Sequence, residues 1–93
     1  MSGSSIKYKI KLTRKQKRKW ESLKQDIPES LEKCQKFLEE TPLDRLKSSG
    51  KLKKLKGKLD GILQYDVTDK ARVWYTVDSQ NQIVYIKYVG PHP

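Results

Sequence analysis

Arg72 and His92 are the two side chains of this sequence best suited to chemistry. Arg72 lies in Ala71-Arg-Val-Trp-Tyr-Thr-Val77, where Val73, Tyr75 and Val77 alternate with Arg72, Trp74 and Thr76. On a strand, that alternation directs the guanidinium away from the core side. A lone arginine in such a run usually points to solvent. Here it would share an open sheet face with Trp74 and, from the neighbouring strand, Tyr85 and Lys87. A guanidinium pairs bidentately with phosphate, and aromatic rings stack on bases. His92 follows Gly90-Pro91. A single histidine is more often plain surface, yet imidazole is the side chain best matched to proton transfer near neutral pH. A cation to stabilise phosphorane-like charge and a proton-transfer group together suit metal-free RNA cleavage, with the substrate's own 2′-OH as nucleophile.

Other chemistries lack their apparatus. The chain has no phosphate-binding glycine loop, no zinc-type cysteine pair, no GxSxG and no carboxylates paired at a meaningful spacing. No cofactor is implied. Cys34 is the single cysteine, so no internal disulfide framework is available. It falls within an apolar helical stripe and reads as a small core residue rather than a nucleophile. No signal peptide is visible and no run approaches the ~20 apolar residues that span a bilayer. The expected location is the cytoplasm, with no membrane partner.

Charge points to the partner. The 93 residues carry 21 Lys and Arg against 11 Asp and Glu, a net charge of +10. Residues 1–58 hold 18 basic and 7 acidic side chains, and residues 59–93 hold 3 and 4. The excess therefore lies in the first part of the chain. Like charges at that density repel, which a polyanion such as nucleic acid would relieve. An acidic protein could use the same charge. Two clusters stand out: Arg14, Lys15 and Arg18, and the connector lysines Lys51, Lys53, Lys54, Lys56 and Lys58. Either is solvated charge or a phosphate-tracking surface.

The elements that must position these residues follow from periodicity. Residues 6–12 alternate Ile6, Tyr8, Ile10, Leu12 against Lys7, Lys9, Lys11, a half-buried strand whose lysines suit a sheet edge. Thr13 and Gln16 form a capping box for a helix over 14–26, with Trp20, Leu23 and Ile27 as its stripe. Its basic first turns run against the helix dipole. Pro28 opens a second helix through about Glu40, with Ile27, Leu31, Cys34, Phe37 and Leu38 on one face. Residues 43–61 read as a basic connector, loop and turn, with Gly50, Gly57 and Gly61 opposing a helix despite the spacing of Leu52, Leu55 and Leu59. Strands are expected over 62–68, 71–78 and 82–89, joined by turns at 68–70 and 79–81. The predicted fold is α+β, in the order β-α-α-β-β-β. A helical hairpin covers one face of a small, mostly antiparallel four-stranded sheet and leaves the other face open. One domain spans 6–92. Met1–Ser5 is a flexible N-terminus or a cloning remnant.

This order, with Lys54-Leu-Lys-Gly57, Tyr65-Asp-Val67, Ala71-Arg-Val-Trp-Tyr-Thr-Val77 and Tyr88-Val-Gly-Pro-His92, resembles the RelE/ParE toxin superfamily of bacterial toxin–antitoxin systems. The resemblance implies a ribosome-dependent endoribonuclease that cuts mRNA and a cognate antitoxin that silences it. It maps the family's transition-state arginine onto Arg72 and the general acid of its ribonuclease members onto His92, as in the YafQ-like branch. The family's RNA-gripping connector maps onto Lys51–Lys58, and the basic helix start plays a similar part. Gln64 and Asp66 stand where RelE carries basic residues, one of them the general base, so either Asp66 or a group elsewhere would take the 2′-OH proton. RelE's stacking tyrosine on a C-terminal tail has no counterpart here, which leaves Tyr85 or Tyr88 to substitute. Two other readings stay open: a ParE-like inhibitor of DNA gyrase without catalysis, and a ribosome- or RNA-binding domain that has lost it.

Overall fold

In the computed structural model, residues 7–59 and 61–91 are described. Met1–Ser5, Ile6 and His92 lie outside them, so the expectations placed on those residues are not addressed by the fold. The element order is β1 (Lys9–Lys11), α1 (Arg14–Asp26), α2 (Pro28–Glu40), β2 (Leu52–Lys54), a 3-10 turn (Gly57–Leu59), β3 (Leu63–Asp66), β4 (Ala71–Asp78) and β5 (Ile83–Pro91).

Local chemistry explains the helices. Thr13 Oγ1 accepts from the Gln16 N–H at 3.2 Å, and the Thr13 N–H donates to Gln16 Oε1 at 2.9 Å, closing the capping box. No acid occupies the first turn of α1, so the box offsets a terminus otherwise crowded with cations. Pro28 begins α2, where its missing N–H costs nothing. The Thr41 N–H closes that helix on Phe37 O at 2.8 Å, just before Pro42.

Both helices bury their stripes on one sheet face. Trp20 of α1 and Leu31, Cys34, Phe37 and Leu38 of α2 meet Leu52, Tyr65, Val73, Tyr75, Val84, Ile86 and Val89. Burial of each large aliphatic side chain stabilises the fold by about 1.5–3 kcal/mol before entropy is counted. Cys34 is wholly buried, and burial pushes its thiol far above the usual range. It is a packing residue, as expected from its place in the stripe.

The sheet has five strands in the order β1-β5-β4-β3-β2, with β1 parallel to β5 and every other pair antiparallel. The expected four-strand count is corrected by β2, which the connector supplies. Leu52 pairs with Tyr65 and is buried, while Lys53 and Lys54 stay exposed. That period-2 segment lasts only three residues, and the helix-like spacing of Leu52, Leu55 and Leu59 hides it. The first strand is shorter than expected because the Tyr8 N–H turns to Glu39 O at 2.7 Å, tying the chain to the end of α2. Strands β3 and β5 shift by a few residues: β3 stops at Asp66 and β5 runs on to Pro91.

Tyr75 links this core to the connector. Its ring is fully buried and its hydroxyl donates to Pro42 O at 2.6 Å. Tyr75→Phe keeps the ring but leaves that buried carbonyl unpaired, a cost of about 1–3 kcal/mol. Thermal unfolding should show Tm lower by roughly 4–8 °C per kcal/mol lost. An unchanged Tm would mean that the carbonyl finds water instead.

Candidate active site on the open sheet face

Strand alternation places Gln64, Asp66, Arg72 and Trp74 on the face that the helices leave open. Asp66 sits opposite Arg72, and Gln64 opposite Trp74. These four side chains form one connected set. Arg72 Nε lies 3.0 Å from Asp66 Oδ1, and Lys53 Nζ lies 2.9 Å from Asp66 Oδ2. Gln64 Nε2 donates to Asp66 Oδ1 at 2.8 Å, and Trp74 Nε1 donates to Gln64 Oε1 at 2.9 Å. The Gln64 amide therefore faces Asp66 with its nitrogen and Trp74 with its oxygen.

Arg72 is on the expected face but is not the solvated side chain usual there, since only 9% of the residue is exposed. Its Nη1 donates to the carbonyls of Thr68, in the turn between β3 and β4, and Ala71, the first residue of β4. Nε makes no directional hydrogen bond despite its closeness to Asp66, so that contact is ionic. Turn and carboxylate together hold the guanidinium in place. Thr68 Oγ1 accepts from the Ala71 N–H at 3.1 Å and fixes the turn itself.

Asp66 answers two opposed influences. Burial pushes its pKa up, but hydrogen bonds from Lys53 and Gln64 and the charges of Arg72 and Lys53 outweigh that and hold it below the usual carboxylate range. A carboxylate so held is a weak proton acceptor at neutral pH. Its geometry suits positioning Arg72 and Lys53.

Strand β5 departs from simple alternation. A bulge opposite Trp74 and Tyr75 pairs Trp74 with Tyr88 and Tyr75 with Ile86, leaving Lys87 as the extra residue. Beyond it the faces exchange: Val89 enters the core and Tyr88 joins the open face. The Trp74 and Tyr88 ring centroids are 5.1 Å apart at 45°. Tyr88, not Tyr85, is thus the aromatic neighbour of Trp74. Tyr85 lies across from Thr76, and exposed Lys87 holds its ammonium 5.8 Å from the Tyr85 ring. Gly90 pairs with Arg72, and a Cβ there would stand 3.1 Å from the Tyr88 hydroxyl. That hydroxyl donates to Pro91 O, bracing the segment that leads to His92.

The remaining candidates divide by position. Lys53 is in the cluster. Lys54, Lys56 and Lys58 are exposed along the connector, and Arg14, Lys15 and Arg18 are exposed on α1. Lys51 turns elsewhere, with Nζ 3.4 Å from Val67 O. Lys19, one of the cations that crowd the first turns of α1 but outside the predicted RNA-binding set, holds its ammonium 5.7 Å from the Tyr88 ring. Its sequence signal is its place in the basic cluster that runs against the helix dipole. Among the described residues, no three His, Cys, Asp or Glu side chains gather as metal ligands. No described helix is long and apolar enough to cross a membrane.

The lowered native pKa of Asp66 implies a sign for pH dependence. Its stabilising contribution is complete above the unfolded value near ~3.9 and disappears as pH falls through the lower native value. Wild type should therefore lose more stability on acidification below about pH 4 than Asp66→Asn. Urea titrations at a series of pH values would show it, and parallel curves for the two proteins would refute it.

No family model and no curated protein matches the sequence. Solved structures do match the fold. The RelBE2 toxin–antitoxin complex of Mycobacterium tuberculosis aligns with a TM-score of 0.63 at 22% identity, covering 94% of this chain and 100% of that one. The YoeB-YefM complex of Staphylococcus aureus gives 0.67 at 22%, covering 92% and 98%. A YoeB/ParE toxin from Agrobacterium tumefaciens gives 0.67 at 19%, covering 91% and 99%. At these identities the likeness is one of architecture, and it extends over nearly the whole chain: this protein has the α+β fold of the RelE/YoeB/ParE toxins.

Proposed function

We propose that the protein is the toxin of a type II toxin–antitoxin pair, a metal-independent endoribonuclease that cleaves mRNA on the ribosome and is silenced by a cognate antitoxin. The observation that carries this reading is Arg72, a guanidinium fixed on an open face by Asp66 and two carbonyls. A preorganised cation of that kind stabilises charge developing on a scissile phosphate without reorganising. Gly90 pairs with Arg72 and stands two residues before His92 in the sequence. In this reading His92 protonates the leaving 5′ oxygen, and the substrate's 2′-OH attacks phosphorus. Asp66 positions Arg72, and the 2′-OH proton passes to Asp66 or to water. Lys51, Lys53, Lys54, Lys56 and Lys58, with Arg14, Lys15 and Arg18, bind the RNA backbone. Tyr85 and Lys87 flank the same face. The fold's appearance in toxin–antitoxin complexes supports the antitoxin as partner.

One observation favours a second reading. Both oxygens of Asp66 are engaged and its basicity is lowered, which suits a ParE-like inhibitor of DNA gyrase that performs no proton transfer.

Toe-printing of translating ribosomes with purified protein separates the two. Wild type should cut within codons held by the ribosome. Arg72→Ala should reduce cutting by about 10²–10³-fold, and His92→Ala by about 10²–10⁴-fold. Lack of cutting by wild type, together with blocked gyrase supercoiling, would establish the second reading instead.

A further inference from the structure

A cleft of about 400 Å³ opens between α2 and the connector, away from the Arg72 cluster. Four lysines line it, Lys33 and Lys36 from the helix and Lys47 and Lys51 from the connector, against one acid, Glu40. Lys33, Lys36 and Lys47 make no ion pair among the described residues, where both ion pairs belong to Asp66. Lys51 lies along the wall, with Nζ 5.9 Å from the Tyr65 ring. Four lysines around one cleft concentrate positive charge there, and an anion seated among them would be attracted.

The cleft is joined to the open face across the β2 edge. Lys51 and Lys53 flank buried Leu52, one lining the cleft and the other bound to Asp66. Two residues of extended chain span about 7 Å. Cations of the two faces are therefore separated by little more than the thickness of the edge. We propose that this cleft is a second phosphate site. An RNA strand lying on the open face turns round β2 and sets backbone phosphates among Lys33, Lys36, Lys47 and Lys51. The inference rests on RNA as the substrate but not on cleavage. An acidic peptide fits less well, because the apolar walls, Phe37 and Tyr65, are only 6% and 4% exposed and leave little for a peptide to bury. Lysine ammonium groups engage phosphates as point charges and need no fixed fork geometry.

The test is fluorescence anisotropy of a short labelled single-stranded RNA over a range of salt concentrations. It compares wild type with Lys33→Glu/Lys36→Glu. A control of equal charge change, Lys9→Glu/Lys11→Glu, is exposed and lies on β1, at the far edge of the sheet. Each single-strand phosphate contact contributes about 0.7 to the salt slope, so the cleft variant should lose about 1.4 in slope and roughly tenfold in affinity. The control should keep the wild-type slope, since charges beyond ~10 Å are screened at 0.1 M salt. Lys33→Gln/Lys36→Gln carries the same test if the charge-reversed pair fails to fold. Equal losses in cleft and control variants would overturn the proposal. So would a cleft variant that binds RNA like wild type and loses only poly-glutamate. Cleft-dependent RNA binding by a protein that cuts no ribosome-bound mRNA would support the cleft while refuting the nuclease reading.

Discussion

The ion pairing of Asp66 is the constraint on which the open face depends. One carboxylate, flanked by Gln64, joins Lys53 of β2 to Arg72 of β4 across β3. Without it Arg72 would be a largely buried cation with only carbonyls for partners, an arrangement that costs several kcal/mol. Without Arg72 and Lys53, burial would raise the Asp66 pKa instead of leaving it lowered. The two cations therefore keep the carboxylate ionised, and the carboxylate offsets the buried charge of Arg72. The same contacts hold the three strands in register at the end where the guanidinium is presented.

The second constraint is the bulge at Lys87. Beta strands exchange faces with every residue, so a single inserted residue redirects all that follow it. Here Val84 and Ile86 enter the core before the bulge and Val89 enters it afterwards. Tyr88 is thereby delivered to the open face, between Trp74 and the ammonium of Lys19. Strand β1 covers β5 only through Tyr85, which leaves this stretch of the edge free for α1 to approach. Bulges recur beside functional sites because they re-aim one side chain without breaking the sheet.

The charge distribution follows the same division of labour. Cations line the connector, the start of α1 and the cleft beside α2, where few carboxylates offset them. That arrangement works against the α1 dipole and against the compact state as a whole. The capping box, the packed core and the Tyr75 tether supply the compensating stability. The nearly neutral final third of the chain builds the sheet and holds Arg72.

Periodicity by itself determined both helices, the Thr13–Gln16 cap, the strand that carries Arg72 and the open face it occupies. Those features are local: helix and strand periods and a cap three residues long are written in consecutive positions. Charge count alone marked the connector and the helix start. Three things were decided only by tertiary structure. Strand β2 exists because Leu52 finds Tyr65, a pairing across thirteen residues that a three-residue alternation cannot announce. Arg72 is buried rather than solvated because Asp66 of β3 and the carbonyls of Thr68 and Ala71 meet its guanidinium. Tyr88 replaces Tyr85 beside Trp74 because of the bulge. A bulge leaves little trace in Ile83–Val89, where every residue but Lys87 is apolar or aromatic and either face of the strand reads as core.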